Sequence, residues 1–348
     1  MKVGYVGTNH HHVDPYLASI DQLPAEVVAV ADPERDMSTA ADDRFADAKG
    51  YGTPAALLEE ADIELVWFTV SNRATPELIG AAIDRGLHIF TEKPAARTAA
   101  ELKPIAEAAR RSDSVVGTAY TWRAHPIAEQ LREFVSDGFF GDVRNVDMRF
   151  FASNPSFRAT DHYLFDPEAS RGGIVQWLGV HWLDLLPWLL DDPITAVNAT
   201  LSEEEGLGVE VGASIQFKMA SGTIGSHDCG YYLDEDRYDT SITIHGAEGY
   251  STWDPMGERF GFDGTTALNL HALGPQWKST PRRRIIHEYE PTPGYGGKWG
   301  LTFFEEFLKA CRLSREPPAD LDDTLTVLQI LDAIYESANR GERVAVRD

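Results

Sequence analysis

The chain has 348 residues, 43% hydrophobic and 25% charged, and its 55 acidic side chains against 31 basic ones give a net charge of −24. That composition is of an ordinary soluble globular protein, long enough for two domains or one large, well-buried core. So acidic a surface repels nucleic acid and anionic membranes, and no apolar run reaches the roughly 18 residues that a membrane span needs.

The pattern begins at once. Val3-Gly4-Tyr5-Val6-Gly7 reads as a short strand ending in glycine, entered from Lys2 with no signal-peptide pattern before it. Val13 to Leu23 suits a short helix. Val27 to Ala31 reads as a second strand, ending in Asp32-Pro33, so the chain opens with a βαβ unit that carries an acid at the tip of its second strand. A helix is expected over Glu34 to Ala48 and a shorter one over Pro54 to Glu60. A strand at Leu65 to Phe68 follows, then a helix from Pro76 to Arg85 stopped by Gly86. Next come a strand at Leu87 to Phe90, a helix from Ala99 to Arg111 and a strand at Val115 to Gly117. Such alternation predicts a parallel, doubly wound sheet and an α/β fold.

After Trp122 the pattern changes, which divides the sequence into 1–121 and 122–348. A helix is expected from Pro126 to Ser136, a strand from Val143 to Phe151, and a long apolar helix from Gly173 to Leu190. Strands then follow one another at Ala196 to Leu201, Glu210 to Met219, Gly222 to Tyr231, Asp239 to His245 and near Tyr250 to Trp253. Consecutive strands without intervening helices indicate an antiparallel sheet in an α+β domain. Asp254 to Gly297, rich in Gly, Pro and Arg, reads as loops with short strands. Helices Leu301 to Leu313 and Leu321 to Arg340 close the chain, the last able to pack back on the first domain.

The loop after the first strand is Gly7-Thr8-Asn9-His10-His11-His12. Dinucleotide loops use three glycines, for a tight turn, close approach of the pyrophosphate and close helix–strand packing. Here only Gly7 is in place. Asn9, which tolerates left-handed geometry, holds the second position, and His12 stands where a small residue is expected. Asp32 either accepts hydrogen bonds from an adenosine ribose, which favours NAD over NADP, or is a turn residue before proline. The three histidines suggest a metal, but sequence neighbours do not converge on one ion unaided. They read as a loop at a helix N-terminus whose rings contact the cofactor's pyrophosphate or nicotinamide side, and no metal is expected.

Thr91-Glu92-Lys93-Pro94 follows the Leu87–Phe90 strand. The carboxyl ends of strands are where open α/β sheets bind ligands. Lys93, held in a Lys-Pro turn beside Glu92, either moves protons or is one of two solvated charges in a strand-end turn.

Together these residues resemble the Gfo/Idh/MocA oxidoreductase family, which includes glucose–fructose oxidoreductase and inositol dehydrogenase. The resemblance rests on Gly7, Asp32-Pro33, Ser71-Asn72 before a helix, Thr91 to Pro94, and Arg123 with Pro126. Gly172-Gly173 through Gly179-Val180-His181-Trp182-Leu183-Asp184 and the closing Glu336-Ser337-Ala338 extend it over essentially the whole chain. It implies a Rossmann domain joined to an α+β domain with a large, open, mostly antiparallel sheet. It also implies that Lys93 and His181 are the acid/base pair, that Lys93-Pro94 is a cis peptide, and that Gly7, Thr8, Asn9, His10, His11, Asp32, Ser71, Asn72, Glu92 and Lys93 line the NAD or NADP site. The chemistry agrees, since oxidising an alcohol carbon by hydride transfer requires a base for the hydroxyl proton. Arg123, Asp161, His162 and Tyr163 fall in predicted loops and are substrate candidates, although each also suits a structural role.

The chain departs from the family pattern. Trp177 stands where an Asp commonly precedes the motif histidine by four residues, and Thr75 replaces a histidine found after the preceding loop. An indole cannot pair with a lysine, but it stacks on a sugar face or fills the pocket.

The expected activity is hydride exchange between a nicotinamide and a sugar, polyol or sugar-derivative hydroxyl or carbonyl. The alternatives are a non-catalytic nucleotide- or sugar-binding regulatory relative and a redox-neutral NAD-dependent elimination or glycoside cleavage. Two isolated cysteines, Cys229 and Cys311, suit a reducing cytoplasm. The net charge suits a halophilic setting, where salt screens self-repulsion. The resemblance further implies a homodimer or homotetramer paired through the second sheet, an exposed face of which would need cover.

Overall fold

The computed structural model describes residues 1–259 and 261–347. Two compact units divide the chain, one of Met1–Ala124 with Glu290–Leu328 and the other of His125–Tyr289 with Gln329–Asp348.

In the first unit the strands are β1 (Lys2–Val6), β2 (Glu26–Ala31), β3 (Lys49–Gly50), β4 (Leu65–Phe68), β5 (His88–Thr91) and β6 (Val116–Thr118). Among the described residues they form one parallel sheet in the order β3-β2-β1-β4-β5-β6. This is the doubly wound Rossmann order, whose direction reverses between β1 and β4 and leaves a crevice at their carboxyl ends. β4 is buried along its whole length, which is why it reads as an unbroken apolar run rather than an alternation. Helices α1 (Val13–Ile20), α2 (Pro54–Glu60), α3 (Thr75–Asp84) and α4 (Ala99–Arg110) lie between the strands in sequence.

The helix expected over Glu34 to Ala48 does not form. The segment is turns, with a single 3₁₀ turn at Asp43–Phe45. Its aspartates bond their own backbone instead: Asp36 Oδ1 accepts from Ser38 N and Oγ, and Asp42 Oδ1 from Arg44 N. Such local bonds compete with a helix.

In the second unit, α5 (Pro126–Ser136), β7 (Val143–Ser153) and the short α6 (Pro167–Ser170) lead to a π-helical turn at Val175–Gly179 that runs into α7 (Val180–Leu190). The Gly173 to Leu190 stretch is therefore two kinds of helix rather than one. Strands β8 (Ile194–Glu203), β9 (Glu210–Met219), β10 (Ile224–Leu233), β11 (Tyr238–Gly246), β12 (Gly249–Trp253), β13 (Thr265–Ala272) and β14 (Arg282–Glu288) follow. Two of them, β13 and β14, lie where mostly loops are expected. Residue 260 in that stretch is outside the described residues.

Then come α8 (Gly297–Leu313), which belongs to the first unit, α9 (Leu321–Arg340), which is shared, and β15 (Val344–Ala345). In the first unit Phe304 and Phe307 of α8 pack on Phe90 of β5, with ring centroids 5.4 and 5.0 Å away. Among the described residues the second sheet has nine strands in the order β14-β13-β12-β11-β7-β10-β9-β8-β15. Its pairs are antiparallel except β7 with β10. The long connection through α6, α7, β8 and β9 returns the chain in the same direction, as a parallel pair requires. α7 packs on this sheet, where Trp182 donates its indole N–H to the Arg149 carbonyl at 2.8 Å. No helix among the described residues is long and apolar enough to cross a membrane.

Candidate active site

In the first unit the chain leaves β1 through Gly7, whose φ is +99°. A Cβ there would lie 2.4 Å from the Thr69 carbonyl oxygen, so only glycine lets β1 and the end of β4 approach this closely. Thr69 Oγ1 donates to the Gly7 carbonyl at 2.7 Å. Asp32, buried at the end of β2, accepts from Thr8 N (2.6 Å) and Thr8 Oγ1 (2.8 Å) on one oxygen and from Glu34 N (2.8 Å) on the other. Arg44 Nη2 donates to the Thr8 carbonyl at 2.9 Å and pairs with Asp42 at 2.8 Å. Nothing local marks Arg44 as part of this loop, since it arrives from a segment expected to be helical. Ser71 and the buried Asn72 lie in the turn after β4, where the Ser71 carbonyl accepts from Thr75 Oγ1 at 2.9 Å.

The histidines gather. The His10 and His11 rings stack with centroids 4.3 Å apart, and His11 and His12 are 4.0 Å apart. One nitrogen from each of the three lies within 4.8 Å of the others, so the turn brings neighbours together more closely than expected. Two ring nitrogens are engaged, however. His10 Nδ1 accepts from His12 N at 3.0 Å, and His12 Nδ1 faces Glu92 Oε1 at 2.5 Å.

Glu92 and Lys93 follow β5 and are both about 5% exposed. Tyr16 of α1 donates its hydroxyl to Glu92 Oε1 at 2.5 Å, and Lys93 N donates to Glu92 Oε2 at 3.1 Å. The Lys93–Pro94 peptide is cis. Burial pulls the Lys93 ammonium down to about 8, with the charge of Glu92 opposing it. Burial pushes the Glu92 carboxyl up, but the charge and hydrogen bond of His12, then the charges of His10 and Lys93, outweigh it and hold Glu92 well below the usual range. Tyr16 lies four residues after His12, a spacing that sets both on one helix face and was readable in the sequence.

Arg123 also lies in the first unit. It is buried, with Nη1 2.9 Å from Asp323 Oδ2 and 3.2 Å from the Pro318 carbonyl, so its guanidinium anchors the segment before α9.

In the second unit the double glycine makes room for Glu210, whose buried carboxylate oxygen Oε2 would lie 3.0 Å from a Cβ on Gly172. A Cβ on Gly173 would lie 2.1 Å from the Glu210 carbonyl oxygen. Glu210 accepts from Gly173 N (2.8 Å), Val175 N (3.1 Å) and Tyr335 Oη (3.0 Å), and so holds the start of the π-helical turn. Burial raises its carboxyl above the usual range against those bonds.

Trp177 is buried within that turn, beside His162 (rings 6.4 Å apart, near-parallel) and Phe165 (6.3 Å). The His162 ring in turn packs, tilted, on Tyr163 at 4.4 Å. Asp161 precedes them in an exposed turn. His181 is buried in the first turn of α7 with its ring parallel to Phe150, 6.4 Å away, and Asp184, one turn on, is also buried. The carbonyl of Gly179 meets His227 Nε2 at 3.2 Å, and burial lowers His227 to about 4, so it is neutral there.

Two family models match in succession. Residues 1–120 match the oxidoreductase family with an NAD-binding Rossmann fold, and residues 128–252 match the Gfo/Idh/MocA C-terminal domain. The chain belongs to the Gfo/Idh/MocA oxidoreductase family. Relatives match along nearly its full length. It is 26% identical over 347 residues to a D-xylose 1-dehydrogenase (NADP(+)) of Haloferax volcanii, covering 99% of both chains. It is 25% identical to a D-apiose dehydrogenase of Paraburkholderia graminis, covering 99% of this chain and 88% of that one. A levoglucosan dehydrogenase, solved in complex with NADH and levoglucosan, superposes over 100% of both chains with a TM-score of 0.87 and 21% identity, which shows the shared fold. As a Gfo/Idh/MocA protein, the chain is an NAD(P)-dependent oxidoreductase of the dehydrogenase/reductase class.

Proposed function

We propose that this protein exchanges hydride between a nicotinamide and a hydroxyl or carbonyl carbon of a sugar, polyol or sugar derivative. Lys93 holds the substrate proton, and His181 is the second acid/base group. The observation that carries the reading is Lys93 itself: a lysine buried at the carboxyl end of a Rossmann strand, with its ammonium drawn down to about 8. A lysine so tuned gives up and takes back a proton near neutral pH, as alcohol oxidation and carbonyl reduction require. The sugar-named relatives support the substrate class.

The residues present suit a dinucleotide. Gly7 turns the chain where no Cβ fits, the loop runs into the N-terminus of α1, and buried Asp32 sits at the end of β2. Gly7 to His11 would hold the pyrophosphate, Asp32 the ribose, and Ser71, Asn72 and Glu92 the nicotinamide side. The bound nicotinamide supplies or takes the hydride. Asp32 favours NAD. Arg44, which donates to the carbonyl of the Thr8 whose N–H Asp32 holds, favours NADP as the second reading, because a guanidinium at this loop can meet a 2′-phosphate. In the second unit Trp177, His162 and Tyr163 form an aromatic face suited to a sugar ring, with Asp161 next to it in the chain.

We also propose a cytoplasmic, halophilic homodimer or homotetramer. The charge of −24 supports the salt setting, and Ile224 and Tyr232, exposed along β10, support a covered sheet face.

A panel of aldoses and polyols assayed with NAD and NADP tests the reading. The oxidation rate is expected to rise with pH through about 8 as Lys93 loses its proton, and the reduction rate to fall over the same range. Absence of binding to both cofactors would overturn it in favour of a regulatory protein. Turnover with no net change in nicotinamide absorbance would point to redox-neutral chemistry.

A further inference from the structure

We infer that His12 and Tyr16 are positioning residues that hold the buried Glu92 as an ionised carboxylate and thereby set the proton affinity of Lys93. The inference deepens the proposed role of Lys93, but the chain of contacts stands by itself. Glu92 is about 5% exposed, and a bare carboxylate that deep would take up a proton. Two short hydrogen bonds, each 2.5 Å, reach the same oxygen, one from His12 Nδ1 and one from the Tyr16 hydroxyl. The other oxygen accepts the backbone N–H of Lys93 at 3.1 Å, which fixes the carboxylate against the residue whose charge it offsets.

Every element around this carboxylate contributes a titratable neighbour. The loop supplies His10 and His12, α1 supplies Tyr16, β1 supplies Tyr5, and the end of β5 supplies Lys93. Tyr295, from the segment before α8, packs on His12 at 4.4 Å and on Tyr16 at 5.0 Å, which holds both donors in place. Burial and Glu92 oppose each other on Lys93. The donors on Glu92 therefore decide how far the ammonium falls.

This also accounts for the departure in the loop. The position that ordinarily packs a small residue against the sheet carries a histidine here, and its ring reaches across to the end of β5. His12 makes no side-chain cap for α1, because its Nδ1 is committed to Glu92.

The test reads Lys93 directly in the full-length protein without cofactor. The chain has eight lysines, so labelling with ε-¹³C lysine gives a spectrum of few signals, and loss of one in Lys93→Arg assigns it. Its midpoint is expected near 8 in the wild type. His12→Phe keeps a ring and removes the donor. It should lower the midpoint by about half a pH unit or more, a threefold or larger rise in the neutral fraction below the midpoint. Glu92→Gln should lower it further, and His12→Phe should add nothing in the Glu92→Gln background, since residues acting through one another are non-additive. His12→Asn, whose amide N–H replaces the Nδ1 donor, should restore the wild-type midpoint. Tyr16→Phe gives the same comparison should His12→Phe fail to fold. A midpoint within about 0.2 of wild type in both His12→Phe and Tyr16→Phe, with the other seven lysine signals unchanged, would overturn the inference. If the midpoint shifts as expected while the pH limb of turnover stays put, the relay stands and the acid/base role of Lys93 falls.

Discussion

The two units bury polar groups for different ends. In the Rossmann unit the buried charges Asp32, Glu92 and Lys93 lie at strand ends, and the two carboxylates are held by short hydrogen bonds from the loop and α1. In the second unit the buried carboxylate Glu210 faces backbone N–H groups and a tyrosine, and it shapes a π-helical turn that presents Trp177 beside His162 and Phe165. One unit tunes ionisation, and the other fixes the shape of a turn. Strand ends suit the first task because the sheet fixes them on both sides. A π-helical turn suits the second, because such insertions re-aim side chains within a helix.

Substitutions in the two units should therefore fail in different ways. The largest effect is expected from Lys93→Ala, which should cut turnover by about 10²- to 10⁴-fold while NAD(P)H binding, read by fluorescence, persists. Near-wild-type turnover would remove the first unit's side of the contrast. Glu210→Ala should act on folding. It strands two backbone N–H groups and the Tyr335 hydroxyl, and a loss of about 2–4 kcal/mol is expected in urea unfolding. An unchanged midpoint would mean that the turn holds without its carboxylate.

Trp177→Phe should raise KM for the preferred sugar by about tenfold with kcat little changed, as expected for a residue that binds rather than reacts. A fall in kcat at constant KM would assign Trp177 to the chemistry instead. The smallest effect is expected from Arg44→Ala, which should weaken NADPH more than NADH by about threefold to tenfold in titrations. Equal weakening would make Arg44 a prop for the Thr8 carbonyl and leave cofactor choice to Asp32.

Much of this contrast was legible in the chain itself. Unbroken apolar strands, helices bounded by Gly86 and the alternation of the two along the first third specify a doubly wound sheet, because a strand buried on both faces leaves no other pattern. Lys93 was visible because it follows an apolar strand, and the motif around His181 through the family resemblance. The pairings were not. His12 meets Glu92 across 80 residues and Arg123 meets Asp323 across 200, and no local periodicity encodes such contacts. Arg123 read as either a substrate contact or a structural residue because its partner Asp323 was out of sight. Glu34 to Ala48 looked helical because its aspartates could not be seen bonding their own turns. The parallel pairing of β7 with β10 and the π-helical turn depend on how the chain returns through space.

The sequence by itself determined most of the elements and the sheet class of each unit, since these follow from hydrophobic period and turn chemistry. Only the tertiary structure decided which partner each buried charge would meet, because the energy of a buried ionised group depends on its neighbours in space and not on those in the chain.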